Sequence, residues 1–579
     1  MDSRESGEAD AHGPVTVAQL ADSAAAAYGE AEALADGEVR WSFARLRDEV
    51  HAAARAAVAH GVAPGDRVAV WAPNSRQWIA AALGAVSVGA VLVPVNTRYT
   101  AAEAADIVRR SGARLLFTER GFLGKDYVAM LRDSGADLGL LRGMVVLRDD
   151  GTAGPEAGLA ADAAAGSDAY EVVSWDAYLA AGAAVPDAER AARTAAVRPD
   201  DLSDILYTSG TTGRPKGVMV THGQTVRVFE SWSCAITLRA GDRYLLVNPF
   251  FHTMGYKAGV LACLLRGVTM LPEPVFDTGL LLRRMAEERV SVLLGPPTVF
   301  HCLIRDPGRE RHDLSALRLA GTGAAMIPTE LIEEIRRELG ATDVFTAYGL
   351  SESTGVVSIC PADADAATVA RTVGVALPGT ELRIVGPDGR ELPPGEPGEV
   401  VTRGYHVMAG YLDDPEATAR AIDADGWLHT GDVGVLDERG YLSLTDRLKD
   451  MYVVGGFNAY PAEVEHALGA HPGIAEIAVV GAPDERLGEV GVAFVVPDPA
   501  QEPPTPDGLT AWARERLANF KVPRRFHLVP ELPRNASGKI LKTELRRAAR
   551  DGGLRAAASD GGLRGAASDG SLRGAPSDG

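Results

Sequence analysis

The sequence predicts an α/β protein with a large N-terminal domain of helix-flanked sheets plus a small β unit, joined by a hinge to a small α+β C-terminal domain. Over the first 350 residues, short β-branched runs alternate with helical stretches, and after Thr380 the chain becomes rich in turns such as PDG and PPGEPG. Continuous hydrophobic runs are typical of parallel strands covered on both faces. Turn-punctuated strands are typical of antiparallel hairpins.

Six runs carry the first prediction. They are RVAVWA (67–72), AVLVPV (90–95), RLLFTE (114–119), DILYT (204–208), RYLLVN (243–248) and VSVLLG (290–295). The small β unit is predicted from two strand-like runs within 381–403 and from a strand in 440–450 that ends in a charged connector. We place the domain boundary near Asp446, at this connector, beyond which a new series of predicted helices and strands begins.

Beyond the boundary we predict a short helix that opens at Pro461, strands near 474–480 and 491–496, and a helix over 509–520. Proline suits the first turn of a helix. The predicted organisation is a disordered N-terminus (1–13), the large domain (14–446), a mobile C-terminal domain (447–549) and a tail (550–579). The tail repeats every nine residues, as DGGLRAAAS, DGGLRGAAS and DGSLRGAPS, and its Gly, Ala, Ser and Asp content predicts disorder.

Composition narrows the class of protein. A chain of 579 residues with 46% hydrophobic and 23% charged residues can bury a large core, which excludes wholesale disorder. The net charge of −20 disfavours nucleic acid as a partner. Four scattered cysteines indicate neither a disulfide framework nor a zinc module, and the polar, acidic N-terminus is unlike a secretory signal, so we expect a cytoplasmic protein. The uncharged stretch 77–97 is broken by Gly and Pro and predicts a buried helix and strand, not stable membrane insertion.

One loop has the composition of a phosphate site. Directly after the predicted strand DILYT, residues 207–217 read YTSGTTGRPKG. Glycines let the backbone approach a phosphate, hydroxyls donate hydrogen bonds, and Lys216 adds a positive charge that is notable because only seven of the 58 basic residues are lysine. The NTPase P-loop requires Gly-Lys-Ser/Thr, whereas here Pro215 precedes the lysine and Gly217 follows it. The segment is therefore predicted to be a phosphate-binding loop of another kind than the P-loop.

This loop resembles the signature of the adenylate-forming superfamily, which includes acyl-CoA synthetases, amino-acid-activating adenylation domains and luciferases. Four further segments resemble the motifs of that family in the family's order. They are YGLSE (348–352), WLHTGD (427–432), DRLKDMYVVGGFN (446–458) and PRNASGK (533–539). The resemblance extends from about residue 15 to residue 549.

The resemblance implies an acid–thiol ligase that uses ATP, Mg²⁺ and CoA. A carboxylate first attacks the α-phosphate of ATP to give an acyl adenylate and pyrophosphate, and a thiol then takes the acyl group and releases AMP. Between the two steps the C-terminal domain rotates about a hinge at Lys449. Charge spreads over the phosphate oxygens in the first step, so aimed donors and cations are expected to supply most of the catalysis.

The same resemblance assigns roles to individual residues. The catalytic residues are Lys539, Glu352, His252 and Thr208, and Glu352 also holds Mg²⁺. The nucleotide is bound by Thr208, Ser209, Gly210, Thr211, Thr212, Gly213, Lys216, Gly323, Ala324, Ala325, Tyr348, Gly349, Ser351, Asp432 and Arg447. The acyl pocket is formed by His252, Thr253, Met254, Gly323, Tyr348 and Gly349, and CoA is bound by Gly455, Gly456 and Phe457.

The acid can be narrowed further. Amino-acid activators place an Asp in the segment that corresponds to 243–272, which contains no Asp or Glu here, so an acid without an α-amino group is predicted. The apolar residues of NPFFHTMGY (248–256) suggest a fatty or bulky apolar acid. The stretch VNPFFHTMGYKAG resembles actinobacterial fatty-acid CoA ligases, including ones that act on steroid-derived acids.

Three functions remain in competition at this point. The first is a CoA ligase, the second an adenylating enzyme that loads a carrier protein in trans, and the third a non-catalytic nucleotide or acyl binder. The thirty-residue tail is too short for a fused carrier domain, and the presence of both Glu352 and Lys539 argues against the third. The predicted partners are a small-molecule carboxylic acid and CoA; a homodimer and a carrier protein in trans remain alternatives.

Overall fold

The computed structural model describes residues 14–149, 170–208, 215–323, 327, 329–447, 450–454, 457–484, 487–517, 519–534 and 539–551. The chain divides into two compact units, Met1–Lys449 and Asp450–Gly579. The predicted disordered N-terminus lies outside the described residues. So does the predicted tail, apart from its first two residues, which belong to the helix Lys542–Asp551.

The first sheet of the first unit contains seven strands among the described residues and is parallel except for one edge strand, Val39–Ser42. In spatial order its strands are Asp343–Phe345, Leu319–Thr322, Val292–Gly295, Arg243–Leu246, Thr269–Pro272, Glu32–Asp36 and Val39–Ser42. The predicted runs RYLLVN and VSVLLG supply two central strands. Their mostly aliphatic residues are buried, apart from the partly exposed Arg243, which confirms that continuous hydrophobic runs here belong to a parallel sheet.

The second sheet contains nine strands within the described ranges. In spatial order they are Gly410–Tyr411, Lys216–Thr221, Leu202–Thr208, Val91–Pro94, Arg67–Trp71, Ala113–Phe122, Gly143–Asp149 and Glu171–Ser174, with Lys125–Asp126 paired to Ala113–Phe122. Its centre is parallel, but Lys216–Thr221 is antiparallel to both of its neighbours. This antiparallel end brings together segments that are distant in sequence.

Helices cover both sheets. In the first unit they are Leu20–Tyr28, Phe43–Ala59, Arg76–Ser87, Ala101–Ser111, Tyr127–Asp133, Trp175–Ala181, Asp187–Ala196, His222–Ala235, Thr253–Gly255, Ala262–Arg266, Thr278–Glu287, Pro297–Arg305, Thr329–Glu338, Ala366–Arg371 and Pro415–Ala421. A π-helix spans Tyr256–Leu261, and 3₁₀ turns span Val17–Gln19, Gly182–Ala184, Arg309–Arg311 and Ser351–Ser353. No described helix combines the length and the apolar character needed to cross a membrane.

The helices Phe43–Ala59 and Arg76–Ser87 show why these segments fold as they do. Each begins after a serine, and the Ser75 side chain accepts a hydrogen bond from the Trp78 backbone N–H at 3.2 Å. The two helices approach so closely that a Cβ on Gly84 would lie 2.6 Å from the Cβ of Ala53. Their buried side chains share one core cluster with residues of both sheets, so they pack between the sheets.

Two smaller sheets complete the first unit. Ala347–Tyr348, Ser358–Ile359 and Val375–Ala376 form one of them, and the other contains Glu381–Val385, Gly398–Arg403, Leu428–Leu436 and Leu442–Arg447. Both are antiparallel. This arrangement confirms the small antiparallel β unit that the turn-rich sequence predicted.

The second unit is an α+β fold. Its sheet contains Phe457–Ala459, Tyr452–Val454, Gly488–Pro497 and Ile474–Asp484 in that order, with Arg525–Leu528 parallel to Gly488–Pro497. Its helices are Pro461–Gly469, Pro506–Arg516 and Lys542–Asp551. The second helix was predicted over 509–520, but it starts earlier because the Thr505 hydroxyl accepts from the Gly508 N–H at 3.1 Å and Pro506 fits the first turn.

Candidate nucleotide and acyl site

The loop predicted to bind phosphate connects two antiparallel strands. Thr208 ends Leu202–Thr208, Lys216 begins Lys216–Thr221, and these two residues are Cα partners across the hairpin. A guanidinium nitrogen of Arg110 donates to the Pro215 carbonyl at 2.8 Å, which fixes the end of the loop. The predicted phosphate-binding residues within the loop, Ser209, Gly210, Thr211, Thr212 and Gly213, lie outside the described residues.

Glu352 lies beside this hairpin. It belongs to the turn Ser351–Ser353, and its carboxylate Oε1 accepts a hydrogen bond from the Tyr411 hydroxyl at 2.8 Å. The Lys216 Nζ lies over the ring of the same tyrosine, 4.7 Å from the centroid. Burial and the neighbouring Glu352 carboxylate raise the pKa of Tyr411 well above its usual range, so the phenol stays a hydrogen-bond donor. The structure therefore brings two predicted site residues together through a third residue.

Tyr348 and Asp432 form a second pair of predicted residues. The Tyr348 hydroxyl donates to Asp432 Oδ2 at 2.6 Å, and both side chains are buried. Asp432 lies on Leu428–Leu436, and its Cα partner on the adjacent strand is Arg447. The Arg447 side chain lies outside the described residues. A short hydrogen bond to a carboxylate fixes its orientation.

Two glycines of the predicted site differ in how tightly their surroundings hold them. A Cβ on Gly349 would lie 2.2 Å from the Gly355 carbonyl oxygen, so no larger residue fits there. At Gly323 a Cβ would lie 3.4 Å from the Ala347 carbonyl oxygen, which is a tight but ordinary contact. The predicted neighbours Ala324 and Ala325 lie outside the described residues.

The acyl-side segment follows the strand Arg243–Leu246. His252 is exposed and precedes the short helix Thr253–Gly255, and its Nδ1 accepts from the Met254 backbone N–H at 3.2 Å. A neutral ring that accepts at Nδ1 carries its proton on Nε2. Thr253 is buried and Met254 packs against the large core.

A buried asparagine holds the loop that leads to His252. Asn74 Nδ2 donates to the carbonyls of Leu246 at 3.0 Å and Asn248 at 2.9 Å. Its Oδ1 accepts from the Phe250 N–H at 2.8 Å. The Asn74 amide thus binds three backbone positions of the loop through its Nδ2 donor and its Oδ1 acceptor. These hydrogen bonds set the shape of the loop.

The charged residue of this segment that points inward is neutralised. Lys257 Nζ lies 2.8 Å from Asp204 Oδ1, and both side chains are fully buried. Burial lowers the pKa of Lys257, and the Asp204 carboxylate opposes that shift. The ion pair connects the π-helix Tyr256–Leu261 to Leu202–Thr208, the strand that leads into the phosphate loop.

The remaining predicted residues belong to the second unit or the connector. Lys539 is exposed, next to the bridge between Arg534 and Ile540. The predicted hinge Lys449 and the predicted CoA-binding Gly455 and Gly456 lie outside the described residues. Phe457 begins the strand Phe457–Ala459, and its side chain is outside the described part of the chain.

Two residues at the site, Tyr411 and Asn74, were missed by sequence reasoning. Tyr411 meets Lys216 and Glu352 because Gly410–Tyr411 pairs with Lys216–Thr221, and no local pattern reveals that long-range pairing. Asn74 follows the predicted strand RVAVWA at the carboxyl end of a parallel strand, where ligand-facing residues collect. That position is the signal which could have drawn attention to it.

The fold has two units, and in the first unit a hydroxyl-rich loop connects paired strands. Glu352 is held by Tyr411 and Asp432 by Tyr348, and these features together indicate a nucleotide-dependent enzyme. A family model described as AMP-binding enzyme matches residues 21–412, and one described as AMP-binding enzyme C-terminal domain matches residues 463–539. The chain belongs to the AMP-binding enzyme family, in the acyl-CoA synthetase branch of the adenylate-forming superfamily. It is therefore an ATP-dependent acid–thiol ligase that forms acyl-CoA.

Two relatives are similar over almost their entire length, and both are named 3-[(3aS,4S,7aS)-7a-methyl-1,5-dioxo-octahydro-1H-inden-4-yl]propanoyl:CoA ligase. One is from Rhodococcus jostii strain RHA1, with 48% identity over 92% of this chain and 98% of the relative. The other is from Mycobacterium tuberculosis, with 49% identity over 88% of this chain and 94% of the relative. The solved structure of a Mycobacterium tuberculosis fatty acyl CoA synthetase superposes with a TM-score of 0.69 at 31% identity, covering 92% of this chain and 98% of that one.

Proposed function

We propose that this ligase activates a propanoate attached to a saturated, keto-substituted bicyclic ring and transfers the acyl group to CoA. The observation that carries the choice of acid is the identity of 48% and 49%, over nearly full length, to two ligases named for such an acid. The chemistry of the acyl-side segment agrees. Residues 243–272 contain no carboxylate that could bind a substrate ammonium, and the inward-pointing Lys257 is paired with Asp204.

In the proposed first step, a carboxylate oxygen of the acid attacks the α-phosphorus of ATP. The bond from that phosphorus to the bridging oxygen breaks, and pyrophosphate leaves. Residues 208–213 and Lys216 hold the phosphates, Asp432 and Arg447 hold the ribose, and Gly323, Ala324 and Ala325 lie against the adenine. Tyr348 orients the Asp432 carboxylate for this task, since their hydrogen bond is only 2.6 Å long.

Mg²⁺ is the metal that this chemistry implies, and Glu352 fits it. Mg²⁺ prefers oxygen ligands and is usually held by one or two carboxylates together with substrate phosphates and water. Among the described residues no group of three His, Cys, Asp or Glu side chains forms a cage, and Glu352 presents one carboxylate whose Oε1 is already oriented by Tyr411. When bound, Mg²⁺ would neutralise charge on the phosphate oxygens.

In the proposed second step, the CoA sulfur attacks the carbonyl carbon of the adenylate, the bond to the AMP oxygen breaks and the thiol proton is released. We assign Lys539 to the first step only, and Gly455, Gly456 and Phe457 to the second. Rotation at Lys449 would exchange the two arrangements. Both substrates, ATP and CoA, are cytoplasmic metabolites, and the four cysteines are unpaired thiols, which supports a cytoplasmic enzyme.

A substrate panel tests this proposal. Purified full-length protein is given ATP, Mg²⁺, CoA and one of four acids: the bicyclic diketo-propanoate, the same ring system without ketones, octanoate or ferulate. AMP release and thioester mass are read together. We expect the diketo-propanoate to have the highest kcat/KM, by about tenfold or more, because the two relatives named for this acid are 48% and 49% identical to this chain.

Each contrary outcome has a distinct meaning. A clear preference for octanoate or ferulate would overturn the proposed acid but leave the ligase activity intact. Thioester that forms only on an added carrier protein would replace CoA by a carrier in trans. Binding of ATP with no AMP release from any acid would support a non-catalytic binder.

A further inference from the structure

One tyrosine contacts two residues of the proposed nucleotide site at once. The Tyr411 hydroxyl donates to Glu352 Oε1 at 2.8 Å, and the Lys216 ammonium lies 4.7 Å from the centroid of the Tyr411 ring. Nothing in the motifs of the sequence assigned a role to this residue. The contact joins the turn that carries Glu352 to the strand that begins at Lys216.

We infer that Tyr411 is a positioning residue of the nucleotide site, which fixes the Glu352 carboxylate through its hydroxyl and the Lys216 ammonium through its ring. The inference rests on the proposed roles of Glu352 toward Mg²⁺ and of Lys216 toward phosphate. Tyr411 touches neither ligand in this assignment and acts only through these two side chains.

The hydroxyl of Tyr411 acts on the Glu352 carboxylate, and its ring acts on the Lys216 ammonium. By donating to Oε1, the hydroxyl holds the carboxylate in one rotamer and leaves Oε2 to face a hard cation, as partners of metal ligands do. The ring attracts the Lys216 charge through its π face, and the N–H groups that point away from the ring stay available for phosphate oxygens. A tyrosine is the side chain that can do both from one position.

Tyr411 is itself held firmly by backbone contacts. It pairs with Val218 across the antiparallel strands, and its N–H donates to the Thr418 hydroxyl at 2.9 Å. The following N–H, that of Leu412, donates to the Gly217 carbonyl at 2.8 Å. On the other side, the Met408 N–H donates to the Glu352 carbonyl at 2.8 Å. The phenol therefore approaches Glu352 from a fixed frame.

Packing alone would explain a ring at this position but not the hydroxyl. The ring is partly buried against Val218, Val220 and Met408, and a phenylalanine would preserve those contacts. Tyr411→Phe therefore removes the bond to Glu352 while keeping the ring under Lys216. Tyr411→Leu removes both effects.

The test measures ligand binding without turnover. Wild type and variants are saturated with the non-hydrolysable analogue α,β-methylene-ATP, with no acid and no CoA, and Mg²⁺ is titrated by calorimetry. For Tyr411→Phe we expect a loss of Mg²⁺ affinity of about 10- to 100-fold, the range typical of losing such an outer partner, with unchanged affinity for the analogue in the absence of Mg²⁺. Tyr411→Leu should also weaken the metal-free binding of the analogue.

A matched control exists in the same unit. Tyr405 also has a cation over its ring, Arg227 at 3.9 Å, and its hydroxyl donates to the Pro378 carbonyl at 3.0 Å. Tyr405→Phe should leave Mg²⁺ affinity unchanged. Unchanged Mg²⁺ affinity in Tyr411→Phe, with a clear loss in Glu352→Gln, would overturn the role of Tyr411.

The roles proposed for Glu352 and for Tyr411 can be tested separately. Wild-type Mg²⁺ affinity in Glu352→Gln would overturn the proposed role of Glu352 itself. In the double variant Glu352→Gln/Tyr411→Phe, a loss no larger than that of Glu352→Gln shows that Tyr411 acts through Glu352. Additive losses would show that it acts by general packing and would overturn the inference.

Discussion

The Tyr348 hydroxyl and the Asp432 carboxylate lie 2.6 Å apart, although one residue is on the short sheet that begins at Ala347 and the other on Leu428–Leu436. The bond connects two small sheets of the first unit through a pair of buried side chains. Charge-assisted hydrogen bonds of this kind are about twice as strong as neutral ones. The pair therefore acts as one element of the proposed ribose site.

Replacing Tyr348 by phenylalanine keeps the ring and removes this bond. If the bond contributes about 1.4 kcal/mol to the placement of the carboxylate, affinity for ATP falls about tenfold. We expect the KM for ATP to rise accordingly in pyrophosphate exchange. Tyr441→Phe serves as the control, because Tyr441 lies in the turn between Leu428–Leu436, the strand of Asp432, and Leu442–Arg447. Equal ATP affinity in the Tyr348→Phe and Tyr441→Phe variants would contradict the role of Tyr348.

The three hydrogen bonds by which Asn74 holds the loop before His252, here called the Asn74 clamp, lead to a prediction about binding of the acid. Asn74→Asp replaces an amide donor by a carboxylate that faces the carbonyls of Leu246 and Asn248, so the loop before His252 must move. We expect the KM for the acid to rise about tenfold or more, with a change of less than about threefold in the KM for ATP.

The KM split separates this positioning role from general destabilisation. Asn96→Ala is the control, because Asn96 is also buried but its Oδ1 accepts a local hydrogen bond, from the Arg98 N–H at 2.9 Å. An equal rise of both KM values in Asn74→Asp would show that the clamp is not specific to the acid.

The sequence predicted the architecture well because the signals were local. Runs such as RYLLVN and VSVLLG are long enough and apolar enough to specify buried parallel strands, and PDG and PPGEPG specify the turns of the small sheets. The motifs around Glu352 and Asp432 could be found because each is contiguous in sequence. Their proximity to other groups could not.

What the sequence left open depends on long-range pairing. Tyr411 reaches Glu352 and Lys216 only because a two-residue strand joins the end of the second sheet. The Asp204 and Lys257 pair joins a strand to a π-helix, and the lysine of HTMGYKAG carries no sign of its buried partner. Helix boundaries also shifted, as at Pro506, where a local threonine cap decided the start.

The buried Lys257 and Asp204 pair leads to a prediction about stability. Lys257→Met leaves an unpaired carboxylate in a fully buried position, which should lower the free energy of unfolding by about 3–5 kcal/mol. The double variant Asp204→Leu/Lys257→Met removes both charges and should recover most of that loss.

Urea unfolding followed by tryptophan fluorescence measures the effect. Trp512 is the only tryptophan in the second unit, so the signal reports mainly the first. A double variant no more stable than Lys257→Met would show that the ion pair itself, not the avoidance of an unpaired charge, stabilises the fold.

His222 predicts how stability depends on pH. It is fully buried at the start of His222–Ala235, and burial lowers its pKa to about 4, against an opposing effect of Asp204 and Asp201. Below about pH 6.5 the unfolded chain binds a proton at this residue that the folded chain does not. The contribution to stability is therefore complete above pH 6.5 and is lost as the pH falls toward 4.

His222→Gln should flatten the decrease in unfolding free energy between pH 7 and pH 4.5. His312→Gln, a partly exposed histidine of the same unit, should leave the slope as in wild type. An unchanged slope in His222→Gln would assign the acid sensitivity to other groups, of which His406, also buried with a pKa of about 4, is the next to replace.

Lys539 tests the proposed division of labour between the two steps. Removing a cation that stabilises charge only in the adenylation transition state should lower kcat for that step by about 10²–10³-fold. Lys539→Ala should therefore lose ATP-dependent adenylate formation but convert supplied acyl adenylate and CoA to thioester at a rate within about tenfold of wild type, because the lysine is then withdrawn. The two half-reactions are measured separately, by pyrophosphate release and by thioester mass.

Lys521→Ala, which removes another lysine of the second unit that pairs with Glu463 at 2.6 Å, should leave the ratio of the two rates unchanged. An equal loss of both rates in Lys539→Ala would mean that one arrangement of the second unit serves both steps, and the proposed rotation would then have no purpose.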